Sequence, residues 1–254
     1  MANSGPMPLD GKVALITGSA RRLGAAMARR LHGAGAQVAI HYRSSSTEAD
    51  ALAGALNAQR PGSAVAVRAD LLDVARLPGL VDSVAQAFGR LDILINNAST
   101  FYPTPVGEIT LAQFDDLIGT NLRAPLFLAQ AAAGQLRLRE GLIINMVDIH
   151  ASRPLKRHPV YCSAKAGLVM LTRSLARELA PQVRVNGIAP GPVLWPEGDL
   201  DPELKKNIID RTALKRMGSP EDVARAALYF AAEAPFVTGQ ILAVDGGRSL
   251  GGGL

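Results

Sequence analysis

A single α/β domain, one doubly wound parallel sheet of about seven strands with helices on both faces, is predicted by three observations. Short apolar runs alternate with amphipathic stretches along the whole chain. The apolar runs are continuous rather than alternating in polarity, which marks strands buried on both faces. The first of them leads straight into a small-residue turn, Thr17-Gly18-Ser19-Ala20, that opens a helix. Right-handed crossovers between such strands give a Rossmann-type arrangement. With 254 residues and 48% hydrophobic content the chain can bury one sizeable core. Residues 1–254 are therefore read as one domain, with 1–10 as an N-terminal extension and 248–254 as a tail whose Gly251-Gly252-Gly253 is expected to be flexible.

Taken in order, the strand candidates are Val13–Ile16, Val38–His41, Ala64–Val67, Ile93–Ile95, Leu142–Met146, Val183–Ile188 and Ile241–Val244. Helical periodicity falls between them at 23–34, 47–59, 77–88, 111–136, 160–179 and 220–232. The Pro/Gly-rich stretch Pro190–Asp201 reads as a loop beside the site rather than a domain boundary. No internal repeat or long linker interrupts the pattern.

Composition narrows the function classes. The net charge of +5 is spread over short groups such as Arg21-Arg22, Arg29-Arg30 and Lys205-Lys206, without interleaved aromatics. That favours a mildly basic cleft for anionic small molecules over a nucleic-acid surface. No apolar run approaches a membrane span, and the N-terminus lacks a signal-peptide pattern. The lone Cys162 allows no intrachain disulfide, so a reducing cytoplasm is expected. His32, His41, His150 and His158 have no metal-binding spacing, so no metal site is expected.

The chemistry points to the stretch 144–165. Tyr161 and Lys165, four apart on a predicted helix, share one face, and Asp148 closes the preceding strand. An ammonium beside a phenol favours the phenolate, so the pair is expected to lower the phenol's pKa toward the working range. The turn after the first strand suits a pyrophosphate at a helix N-terminus. After the second strand the chain reads His41-Tyr42-Arg43-Ser44-Ser45, with no carboxylate before Glu48. A carboxylate there would favour NAD; Arg43 and Ser44 favour the 2′-phosphate of NADPH.

Thr17-Gly18-x-x-x-Arg22-x-Gly24 resembles the glycine motif of the short-chain dehydrogenase/reductase family, with Arg22 replacing the middle glycine and bringing a guanidinium toward the cofactor phosphates. Further motifs follow in family order: Asp70-Leu71, Asn96-Asn97-Ala98-Ser99, Asn121, Tyr161-x-x-x-Lys165, Pro190-Gly191 and Val244-Asp245-Gly246-Gly247. The resemblance runs from about Gly11 to Gly247, and it implies the following roles. Gly18, Arg22, Leu23, Tyr42, Arg43, Ser44, Asp70, Leu71, Asn97, Ala98, Ser99, Met146, Tyr161, Lys165, Pro190, Gly191 and Val193 bind NADPH. Asn121, Tyr161 and Lys165 belong to the catalytic set, Asn121 holding a relay water. A homotetramer is the expected assembly.

Two departures sharpen the resemblance. Asp148 stands where the family usually has a serine that donates to a substrate carbonyl, a task a carboxylate cannot perform unless protonated. It suits a substrate with N–H donors or a protonatable ring nitrogen, although Asp148 could also simply cap a loop. Phe101, just after the fourth strand, offers a ring for stacking on a flat heteroaromatic. These features resemble the pteridine reductases within the family, which implies a pterin or folate held between Phe101 and the nicotinamide. Asp148, Tyr161 and Ser99 would supply its polar contacts, with Leu194 and Trp195 lining the cleft. Two other readings remain: a carbonyl/alcohol oxidoreductase on the same scaffold, and a non-catalytic NADPH-binding regulator.

Overall fold

The computed structural model describes residues 7–195 and 201–250. Seven strands form one parallel sheet in the order β3-β2-β1-β4-β5-β6-β7. They are β1 (Val13–Ile16), β2 (Gln37–Tyr42), β3 (Ala64–Arg68), β4 (Ile93–Asn96), β5 (Leu142–Met146), β6 (Arg184–Pro190) and β7 (Ile241–Val244). The helices are α1 (Arg22–Gly33), α2 (Ser46–Gln59), α3 (Leu77–Phe88), α4 (Leu111–Ile118), α5 (Ala124–Arg137), α6 (Pro159–Glu178), α7 (Pro202–Asp210) and α8 (Pro220–Ala232).

Consecutive strand residues point to opposite faces, and here both faces are covered. Ala14 and Ile16 of β1 join a core with Met27 and Leu31 of α1, Leu52 of α2 and Phe230 of α8. Val13 and Leu15 join the opposite core, with Val81 of α3, Leu128 and Leu136 of α5 and Leu179. β5 divides the same way, Leu142 and Ile144 to the first core and Ile143 to the second. This is why the strands read as unbroken apolar runs. Leu9, in the expected N-terminal extension, is buried and belongs to the first core.

Two elements differ from the sequence expectation. The helix predicted over 111–136 is broken by a π-helical turn at Gly119–Arg123. Pro125 has no N–H to return to the preceding turn, and Gly119 lies so near Leu72 that an added Cβ would meet its Cδ2 at 2.6 Å. Within this turn Asn121 Nδ2 donates to Leu117 O at 2.9 Å. The second difference is α7, which no periodicity announced. Its N-terminus does carry a signal, since Asp201 accepts from Glu203 N at 3.0 Å and Pro202 opens the first turn. The middle of the Pro/Gly loop, 196–200, and the tail Gly251-Gly252-Gly253 lie outside the described residues.

The order of the strands reverses between β1 and β4, and the crevice beyond their C-terminal ends is the place where such folds take ligands. Thr17 and Asn97 clasp its two sides. Thr17 Oγ1 accepts from the backbone N–H of Asn97 at 2.9 Å and of Ala98 at 3.0 Å, while Asn97 Nδ2 donates to Thr17 O at 2.8 Å.

Candidate active site

Above the clasp lies a cavity of about 380 Å³. Eleven of the residues expected at the cofactor line it: Gly18, Arg22, Leu23, Tyr42, Arg43, Ser44, Asp70, Leu71, Asn97, Ala98 and Ser99. Gly18 has φ +59°, and an added Cβ would meet Ala98 Cα at 3.0 Å. At Gly24 an added Cβ would fall 2.6 Å from Gly18 O, so a side chain there would push α1 off the turn. These two glycines keep the backbone cradle open to a bulky anion. Arg22 also sits in the left-handed region, φ +56°, a conformation that costs a non-glycine residue about 1 kcal/mol. Its guanidinium donates to Trp195 O at 3.0 Å, which joins the glycine turn to the loop after β6.

At the far end of the cavity Arg43 and Ser44 are exposed. The first carboxylate beyond them, Glu48, is engaged by Arg21 at 3.5 Å. The cradle, the free backbone approach and the cationic ribose end together fit a nicotinamide dinucleotide. Arg21, Ser45, Leu72 and Thr100 line the cavity as well. Sequence reasoning did not single them out, because each is defined by a neighbour's position rather than by a motif.

Met146, Tyr161, Lys165, Pro190, Gly191 and Val193, also expected at the cofactor, are not among the residues that line this cavity. Gly191 lies against Asp245, where an added Cβ would meet Asp245 Cβ at 2.5 Å. Val193 buries its side chain, and its N–H donates to Gly191 O at 2.8 Å. Pro190 ends β6 opposite Val244. Leu194 is exposed and Trp195 half-buried.

The acid–base residues converge at the ends of β4 and β5. Tyr161, 4% exposed on α6, donates to Asp148 Oδ2 at 2.7 Å. Asp148 Oδ1 accepts from His150 N at 2.8 Å. The carboxylate therefore both caps its loop and holds the phenol, one oxygen for each task. Lys165, fully buried, donates to Met146 O at 2.9 Å, and its Nζ stands 5.6 Å from the centre of the Tyr161 ring. Ser99 Oγ donates to Asn121 Oδ1 at 2.6 Å. Asn121 is fixed in turn by Thr100 O, 3.0 Å from its Nδ2.

The electrostatics correct one expectation. Burial, and after it the Asp148 carboxylate, push the Tyr161 phenol well above its ordinary value rather than below it. Burial also lowers Lys165 to about 8, against the opposing pull of Asp148. Desolvation penalises whichever form is charged, and it outweighs the ammonium–phenol attraction. Tyr161 is thus held as a proton donor.

Phe101 stacks on His158, centroids 4.7 Å apart and planes 9° apart, and meets Tyr161 edge-on at 4.8 Å. The ring remains 48% exposed, so it presents an apolar surface beside the phenol. Cys162 is buried, and its Sγ accepts from Leu155 N at 3.3 Å, in keeping with a spacer.

A doubly wound parallel sheet with a glycine-cradled cavity, and a buried tyrosine and lysine at its edge, defines a nicotinamide-dependent oxidoreductase. Residues 18–249 match a family model described as enoyl-(acyl carrier protein) reductase. The chain belongs to the short-chain dehydrogenase/reductase family. It is 38% identical to pteridine reductase 1 of Leishmania tarentolae, over 94% of this chain and 96% of that protein. It is 36% identical to 3beta-hydroxysteroid dehydrogenase 1 of Eggerthella lenta, over 95% of each. A 3-oxoacyl-(acyl-carrier-protein) reductase of Staphylococcus aureus is 34% identical, over 93% of this chain and 97% of that one. Among the described residues, no helix is long and apolar enough to cross a membrane.

Proposed function

We propose that this protein is an NADPH-dependent pteridine reductase, acting on dihydropterins and also on oxidised pterins or dihydrofolate. The observation that carries the reading is Asp148, bonded to the Tyr161 hydroxyl at 2.7 Å. A carboxylate in that place repels a ketone oxygen but accepts from the ring and amino N–H groups of a pterin. The similarity to a pteridine reductase supports the same reading.

Gly18, Arg22, Arg43 and Ser44 would hold the phosphates, Asp70 and Leu71 the adenine end, and Lys165 the nicotinamide ribose. Bound NADPH supplies a hydride to the carbon of a pterin C=N bond. The adjacent nitrogen takes its proton from Tyr161, which burial keeps protonated. Asp148 orients that hydroxyl through the bond to its Oδ2. Asn121, fixed by Ser99 Oγ and Thr100 O, would hold the water through which the phenol is reprotonated. Phe101, backed by His158, packs against the flat ring and excludes water from it. The relatives that act on 3-oxoacyl and steroid substrates favour a second reading, carbonyl reduction on the same scaffold.

NADPH oxidation is to be followed with dihydrobiopterin, biopterin, dihydrofolate and a panel of ketones at matched concentrations. Turnover of pterins with little of ketones is expected; turnover of ketones alone would overturn the reading. NADPH binding without any turnover would leave a regulator.

Leu111, Phe114, Leu126 and Met170 stay exposed on α4, α5 and α6, which supports a homotetramer, to be checked by light scattering. The unpaired, buried Cys162 suits the reducing cytoplasm.

A further inference from the structure

The turn that approaches the pyrophosphate is held from behind by one side chain outside the reaction chemistry. His41, near the end of β2, is 2% exposed and follows the buried apolar run Val38-Ala39-Ile40. Its Nδ1 accepts from Gly18 N at 3.0 Å, and its backbone carbonyl accepts from Ser19 N at 2.9 Å. Its Nε2 stands 3.2 Å from Ala69 O. A ring nitrogen that accepts an N–H, opposite one that faces a carbonyl, is the neutral Nε2–H tautomer. Burial supports this by holding the imidazole down to about 4, with Asp70 the charged neighbour pulling the other way.

One imidazole therefore joins the end of β1 to the end of β3. Ala69 N donates in turn to Tyr42 O at 3.1 Å, closing the link on the β2 side. With the Gly18 and Ser19 amides consumed, residues 20–24 of the turn line the cavity together with Gly18.

We propose that His41 is the positioning residue of the dinucleotide site. By binding Gly18 and Ser19 from the inner side, it aims the first turn of α1 at the pyrophosphate and couples that turn to the Asp70-Leu71 segment. It acts through Gly18 and Ala69. The proposal rests on dinucleotide binding and is independent of which substrate is reduced.

The test is calorimetric titration of wild type, His41→Leu and His41→Asn with NADPH and with NADH, on protein whose fold is checked by circular dichroism. His41→Leu is expected to bind both nucleotides about tenfold more weakly, one hydrogen bond's effect, with their ratio unchanged because both carry the pyrophosphate. His41→Asn, whose Oδ1 reaches toward Gly18 N–H as Nδ1 does, should recover most of the loss. Ring ¹⁵N spectra of the wild type at pH 7 should show the Nε2–H form. Unweakened binding by His41→Leu, or no recovery in His41→Asn, overturns the proposal. So does an Nδ1–H tautomer, or a loss confined to NADPH, which would place His41 on the 2′-phosphate. If His41→Leu does not fold, the asparagine variant and the tautomer decide. A wild type that binds neither nucleotide overturns the dinucleotide reading and this one with it, a result distinct from tight wild-type binding with an indifferent variant.

Discussion

A phenol one helical turn from an ammonium would ordinarily ionise more easily. Tyr161 does the reverse, because it is buried and donates to a carboxylate. The residue pair was legible in the sequence; its electrostatic direction was not, since burial and the partner of the hydroxyl belong to the fold. Tyr161→Phe should keep the structure and lower pterin turnover by about 10²–10⁴-fold, the usual share of a positioned acid. Asp148→Ser should lose pterin turnover and gain on ketones, measured as the ratio of kcat/KM for the two substrate classes. A ratio that does not move would mean that Asp148 only caps its loop. Lys165 gives a pH signature of its own. Its folded pKa, about 8, lies below the ordinary value of 10.5, so between those limits the unfolded chain holds a proton that the folded chain has released. Stability then rises with pH across that window. Urea unfolding should show wild type gaining roughly 2 kcal/mol on Lys165→Met between pH 7.5 and 10. Parallel curves would mean that the ammonium is not desolvated.

At the scale of elements, the strands and most helices were readable because their cause is local and repeated. β1, β4 and β5 feed both cores, and their continuous apolar runs state this directly. The π turn at Gly119–Arg123 was not readable, since it depends on Gly119 meeting Leu72 from another loop. Nor was the tie from His41 to the glycine turn, which joins residues 23 apart through a side chain that has no motif. That tie carries a prediction in acid. His41 is held to about 4 in the fold against 6.5 in the unfolded chain. Its neutral ring therefore contributes full stability above pH 6.5, and that contribution is lost as pH falls through 4. Urea unfolding at pH 7 and 4.5 should show wild type losing about 2 kcal/mol more than His41→Asn. Taking the difference removes His32, whose pKa burial lowers in the same direction. Equal losses would show that His41 is solvated.

For the whole molecule, the sheet order β3-β2-β1-β4-β5-β6-β7 brings separated motifs to one crevice. Gly18 follows β1, Arg43 follows β2, Asp70 follows β3 and Asn97 follows β4, so half of the sheet presents its loop ends to one cavity. A ligand laid across that cavity ties these loops together and stabilises the native state by mass action. At one hundred times its Kd the gain is about 2.7 kcal/mol, or roughly 5–10 °C for a domain of this size. On the proposed reading, the charge arrangement would discriminate between the two nicotinamide dinucleotides. Arg43 and Ser44 are exposed at the ribose end, and Glu48, the nearest carboxylate in sequence, is paired to Arg21. The 2′-phosphate of NADPH would meet the Arg43 guanidinium and the Ser44 hydroxyl, whereas NADH would have no phosphate there to engage them. At equal concentrations NADPH should raise the melting temperature several degrees more than NADH, and Arg43→Ala should narrow that gap without abolishing the shift by either. Equal shifts in the wild type would remove the 2′-phosphate from the recognition. A larger shift with NADH would mean that Glu48 leaves Arg21 to bind the ribose hydroxyls.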